Sequence, residues 1–160
     1  MTRNFKKMNG FGLIEVVIGI AIISTSLFAI MSAARGALDL NRRTIADIKS
    51  KFVLDEGSEV LRFMRDNAWN NIGGLSTSTV YYLATTTTGW IATTSPQMID
   101  GTFLRIFKIE DVSRGPDGKI SENGSYDSGT KKITVSVSFK DRFSTTTKQT
   151  IFYLTDIFSD

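Results

Sequence analysis

The chain has 160 residues, room for one modest domain, and its formal net charge is +3. It contains no cysteine and no histidine, which excludes disulfides, thiol nucleophiles, Cys/His zinc sites and histidine acid–base chemistry together. The first ten residues carry Arg3, Lys6 and Lys7 and no acid, so the remainder is formally neutral and gives no support for a nucleic-acid surface.

Hydrophobic residues are unevenly placed. Val16 to Ala34 is a run of nineteen residues without a charge. At about 1.5 Å of rise per residue, a helix of that length nearly spans a hydrocarbon core of roughly 30 Å. Basic residues precede the run and Arg35 follows it, so the positive-inside rule keeps the first residues cytoplasmic and exports the rest. A secretory signal peptide has an apolar region of only about 7–15 residues before a small-residue cleavage site. The run here is longer, although Ser32-Ala33-Ala34 has the composition of such a site. A simple signal anchor is a further alternative. Neither accounts for Glu15, because a lone carboxylate at the start of an apolar span costs about 2–3 kcal/mol in a bilayer and marks a functional position.

Lys6-Lys7-Met8-Asn9-Gly10 followed by Phe11-Gly12-Leu13-Ile14-Glu15 resembles the class III signal of type IV prepilins and type II secretion pseudopilins. The resemblance is strong over residues 1–35 and holds only in outline beyond them. It implies that a membrane prepilin peptidase cuts after Gly10 and methylates the new amine of Phe11. Glu15 then stands fifth in the processed chain, the family's glutamate position. It further implies a structural, non-enzymatic subunit; the missing proline and the lack of a disulfide lean toward a minor one. Its partners would be other pilin-like subunits, the peptidase and a pilus or secretion assembly platform. The location implied is single-pass in the cytoplasmic (inner) membrane with an exported C-terminal domain, then an extracellular or periplasmic filament. Two residues depart from the commoner pattern: Gly12 stands where many members have Thr, and Ser32 where major pilins often carry Pro. The pattern has a physical rationale. Cleavage creates a cationic amine at Phe11, and pairing it with Glu15 of a neighbouring subunit offsets the desolvation of both groups while selecting register. The helix dipole also favours a carboxylate in the first turn.

The expected organisation is a cleaved basic leader over 1–10, a transmembrane and assembly half of a helix over 11–34, and an exported domain over 35–160. Beyond Arg35 the helical period continues. Leu38, Ile45, Ile48 and Phe52 step by seven, three and four, and Val53, Gly57, Val60 and Met64 by four, three and four. These predict one long helix from Gly12 to Asn67 whose exported half lays an apolar stripe on a sheet, with Gly57 permitting close approach; a helix break at Gly57 is the alternative. Gly19 and Ser24-Thr25-Ser26 are conceivable flexible points, but the three hydroxyl residues are read first as tolerating a lipid or helix-packing environment. Asn70-Asn71-Ile72-Gly73-Gly74 closes the helix. Strands are predicted over Thr79–Thr85, Trp90–Thr94, Thr102–Val112, Lys132–Lys140 and Gln149–Asp156, with a turn at Gly89 and another over Asp141–Lys148. Ile133, Val135, Val137 and Phe139 alternate with polar residues, as in a half-buried antiparallel strand. Ile151-Phe152-Tyr153-Leu154 is apolar on both faces, which predicts a central or doubly covered strand. The fold class is α+β, a long helix packed on a small antiparallel sheet.

Two segments have side chains that invite a further role. Asp117, Glu122 and Asp127 in the Ser113–Lys131 loop are conceivable calcium ligands, an option raised by the pseudopilin resemblance. The spacing is not that of an EF-hand, and Pro116-Asp117-Gly118 and Asn123-Gly124 are ordinary turn sequences. No metal or cofactor is expected. The Ser/Thr-rich stretch from Ser76 to Ser95 reads as a solvated hairpin open to glycosylation, with Tyr81, Tyr82 and Trp90 as core or contact aromatics. No catalytic constellation is present, since the serines and threonines have no histidine base. The alternative to an assembling subunit is a membrane-anchored or filament-tip binding module that recognises a surface, DNA or a secretion substrate.

Overall fold

The computed structural model describes residues 12–140 and 144–158. Its elements are α1 (Leu13–Asn67), α2 (Asn70–Gly73), β1 (Tyr82–Thr86), β2 (Gly89–Thr93), β3 (Met98–Ile99), β4 (Phe103–Arg114), β5 (Ser125–Lys140) and β6 (Thr145–Thr155). The fold is α+β, as the patterning predicts. The chain divides into two compact units, one ending at Thr44 and one running from Ile45 to Asp160.

In the second unit, β1 and β2 form a hairpin, and β3-β4-β5-β6 form an antiparallel sheet in that order. The sheet is built on the alternation of β4 and β5. Phe103 pairs with Phe139, Arg105 with Val137, Phe107 with Val135 and Ile109 with Ile133, and all eight are buried on one face. Leu54, Gly57, Leu61 and Met64 of α1 are buried with them, and the three apolar side chains belong to the same core cluster. Asn71 caps the helix end by donating from Nδ2 to the Met64 carbonyl at 3.0 Å. Tyr81 bridges to Phe107 through backbone hydrogen bonds in both directions, and their rings stack at 5.4 Å.

Gly57 sits where the predicted close approach occurs. A Cβ there would lie 2.7 Å from Arg105 Cδ and 3.3 Å from Val135 Cγ1. Gly89 supplies its turn with a φ of 128°, in the region that favours glycine.

The structure corrects two expectations. The apolar positions of α1 do not form one stripe. Val53, Gly57, Val60 and Met64 turn toward the sheet, whereas Leu38, Ile45, Ile48 and Phe52 are exposed. Phe52 and Val53 are adjacent, and one residue is a rotation of about 100° in an α-helix, so the two series occupy different faces. The second correction concerns β6, which is an edge strand and is covered on one face only. Phe152 and Leu154 turn inward opposite Ile133 and Lys131, while Ile151 and Tyr153 lie opposite Thr134 and Lys132 and are about half exposed. An apolar tetrapeptide does not reveal how many strands flank it. β3 was not anticipated, and β6 begins at Thr145, inside the predicted Asp141–Lys148 turn.

Candidate assembly helix

The first unit contains the apolar half of α1. Its opening turn is tight: the amides of Glu15 and Val16 both donate to the Gly12 carbonyl, at 3.0 and 3.4 Å. Glu15 therefore stands in the first turn, exposed, where the unsatisfied N–H groups favour an anion. Around and beyond it the surface is hydrocarbon. Leu13, Ile14, Ile23, Phe28 and Ile30 are each at least 66% exposed, an uncovered apolar surface. The most apolar 18-residue window has a mean hydropathy of 2.4, and none of it is buried. This one helix among the described residues is long and apolar enough to cross a membrane.

The helix is continuous through both suggested flexible points. Thr25 Oγ1 donates to the carbonyls of Ala21 and Ile22 at 3.0 Å each, and Ser26 Oγ donates to the Ile22 carbonyl at 2.8 Å. The hydroxyls are thus satisfied within the helix itself and need no water, the arrangement that lipid or a dry helix interface requires.

In the second unit, α1 presents an apolar row on the side away from the sheet. Ile45 and Ile48 are each 48% exposed, Phe52 69% and Phe63 51%. The row continues the four-residue and three-residue steps of a helical face through Glu56 and Glu59.

Of the residues singled out in the sequence, Gly10 and Phe11 lie outside the described residues, so the amine suggested as the partner of Glu15 does too. The three suggested calcium ligands are not gathered. Asp127 accepts from Arg114 Nε at 2.6 Å and from the Gly129 amide at 2.9 Å, and Asp117 is paired with Lys119. No group of three potential ligands converges among the described residues. Thr85 to Thr88 form the exposed tip of the β1–β2 hairpin.

Arg105 is one of two buried charges, with Lys131, among the described residues. It lies on the apolar face of β4, 4% exposed, and its Nη1 donates to the Val53 carbonyl and to Glu56 Oε2, both at 3.0 Å. Its guanidinium carbon is 5.9 Å from the Trp90 ring centre, and its Nε has no hydrogen-bond partner among the described residues. The signal was in the sequence: Phe103, Arg105, Phe107 and Ile109 share one register, and arginine is the outlier. A hollow of about 420 Å³ beside it is lined by Glu56, Leu83, Trp90, Gln97, Met98 and Arg105 among others.

Ion pairs tie the rest of the second unit together. Lys148 of β6 reaches Asp47 of α1, and that hydrogen bond holds the Asp47 carboxyl below its ordinary range. The Arg114 hydrogen bond does the same for Asp127. Burial opposes the charge on Lys131, yet its bonds to Asp111 at 2.5 Å and to the Tyr126 hydroxyl prevail and raise its pKa. Lys132 is raised by its bond to Glu110 at 2.6 Å.

No protein-family model matches the chain. No curated protein and no solved structure matches it significantly either.

Proposed function

We propose that the chain is a structural subunit of a type IV pilus-like filament or a type II secretion pseudopilus, processed after Gly10 and assembled through α1. The observation that carries this reading is the first turn of α1. A lone exposed carboxylate, Glu15, opens a helix whose apolar surface is uncovered, directly after a Gly10–Phe11 junction set behind three cations. Removing the leader frees an amine at Phe11, and Glu15 of an adjacent subunit neutralises it in a medium where either charge alone is costly. The exposed apolar residues Ile45, Ile48 and Phe52, which share one helix face, support the same reading, since a neighbouring subunit would cover them.

The decisive measurement is mass spectrometry of the membrane-extracted protein. The expected N-terminus is Phe11, carrying a methyl group. An intact Met1, or cleavage near Ala34, overturns the proposal. Glu15→Ala should insert into the membrane normally and lose most of its incorporation into filaments.

A second reading is a binding module at a filament tip or on a single anchor. The hollow beside Arg105 and Trp90 favours it, because it combines an aromatic ring, an amide and paired charges. Saturable ligand binding by the full chain without any filament would support that reading over the first.

A further inference from the structure

The two edges of the four-stranded sheet are treated differently. On the β4 side, β3 pairs with Leu104 and Phe103, and Tyr81 takes both backbone groups of Phe107. That edge is short and interrupted. On the other side, β6 runs eleven residues with no neighbour among the described residues and no register shift against β5. Natural edge strands are normally blunted by charges, proline, a bulge or shortness. β6 has no proline, and its one charged residue, Lys148, is drawn to Asp47 on the α1 side.

The direction of the open hydrogen-bonding groups follows from the ladder. The Asp156 amide donates to the Gly129 carbonyl, so this pair and every second pair before it bond inward. The Tyr81–Phe107 bridge on the far side of β4 has the matching parity. Thr145, Thr147, Gln149, Ile151, Tyr153 and Thr155 therefore point their N–H and C=O groups away from β5. Their side chains lie on the solvent face and are uncharged.

We propose that β6 pairs antiparallel with β6 of a second copy of the chain, joining two sheets into one. Only an extended strand satisfies a row of alternating donors and acceptors, and β6 is complementary to itself. Centred on Thr150, the two-fold register sets Gln149 against Ile151 of the second copy, Thr147 against Tyr153 and Thr145 against Thr155. It uses the whole strand, and it places Lys148 against Phe152 of the second copy. Centring the axis on Lys148 would instead oppose two like charges. This contact is separate from the α1 contact and does not depend on processing after Gly10.

The chain has no native cysteine, so introduced ones report unambiguously. Full-length Gln149→Cys and Ile151→Cys chains, co-expressed and oxidised in detergent, should form mixed disulfide dimers. So should Thr147→Cys with Tyr153→Cys. Each should exceed the Ser136→Cys control, on the same face of β5 but one strand inward, by about tenfold through effective concentration. Yields no higher than this control overturn the proposal, as do cross-links made only to other proteins. Gln149→Pro removes an outward N–H and no β5 bond, so it should abolish the Thr147→Cys/Tyr153→Cys cross-link while the circular dichroism spectrum is kept. A cross-link that survives in folded Gln149→Pro also overturns the proposal. If Gln149→Pro does not fold, the two cysteine pairs and their control decide alone.

Discussion

Single residues set how tightly α1 meets the sheet. Gly57 occupies a site where any side chain collides with Arg105 and Val135. Gly57→Ala gains about 1 kcal/mol of helix propensity but overpacks a core contact at a typical cost of about 1–3 kcal/mol, so net destabilisation is expected. The urea midpoint of the detergent-extracted chain measures it, and a raised midpoint would contradict the close approach. Arg105 is a different case. Its acidic partner Glu56 is half exposed, so Arg105→Met strands no buried charge and should alter stability by less than about 1 kcal/mol, whereas Arg105→Ala leaves a cavity and should cost about 2–4 kcal/mol. Both residues were readable in outline. Gly57 fell on an apolar helical series, and Arg105 broke an apolar strand series. The sequence did not disclose that they touch, because that depends on which turn of α1 crosses which pair of strands.

Among the elements, α1 carries one apolar face buried against the sheet and a second that is exposed. Leu61 on the inner face is fully buried, so Leu61→Ala should cost about 2–5 kcal/mol and lower the thermal midpoint markedly. Phe52→Asp on the outer face should leave that midpoint nearly unchanged and reduce co-assembly with wild-type chains, as pull-down of a tagged copy would show. Equal thermal losses for both variants would mean that the outer face is already covered. The length and type of α1 were legible because an unbroken apolar run passes into a helical period that holds as far as Met64. The division into faces was not, since two series one residue apart both satisfy the same spacing. Strand alternation identified β4 and β5 for the same reason that it failed on β6. Periodicity reports which faces are apolar, whereas edge position is set by neighbours distant in the chain.

At the scale of the whole molecule, the ion pairs predict the response to pH. Asp47 and Asp127 have lowered pKa values in the folded chain, so their contributions are complete above the unfolded carboxylate value of about 4 and are lost as pH falls through the folded values. Lys131 and Lys132 have raised values, so their contributions are complete below about 10.4 and are lost as pH rises through the folded values. With no histidine to titrate between these limits, the thermal stability of the second unit should be flat from about pH 5 to pH 9. Asp127→Asn should soften the acid limb alone. A transition near neutrality would require a group that this ledger of charges omits. The hydroxyl bonds of Thr25 and Ser26 have a mechanical consequence. If the chain assembles as proposed, pulling on a filament would load α1 along its axis. At Ala21 and Ile22, each carbonyl already accepts from a side chain as well as standing in the helical ladder. When stretching opens a backbone bond there, the hydroxyl retains the carbonyl, and the local toll of elongation falls. The apolar half of the helix should therefore yield first within this one turn and recover when released.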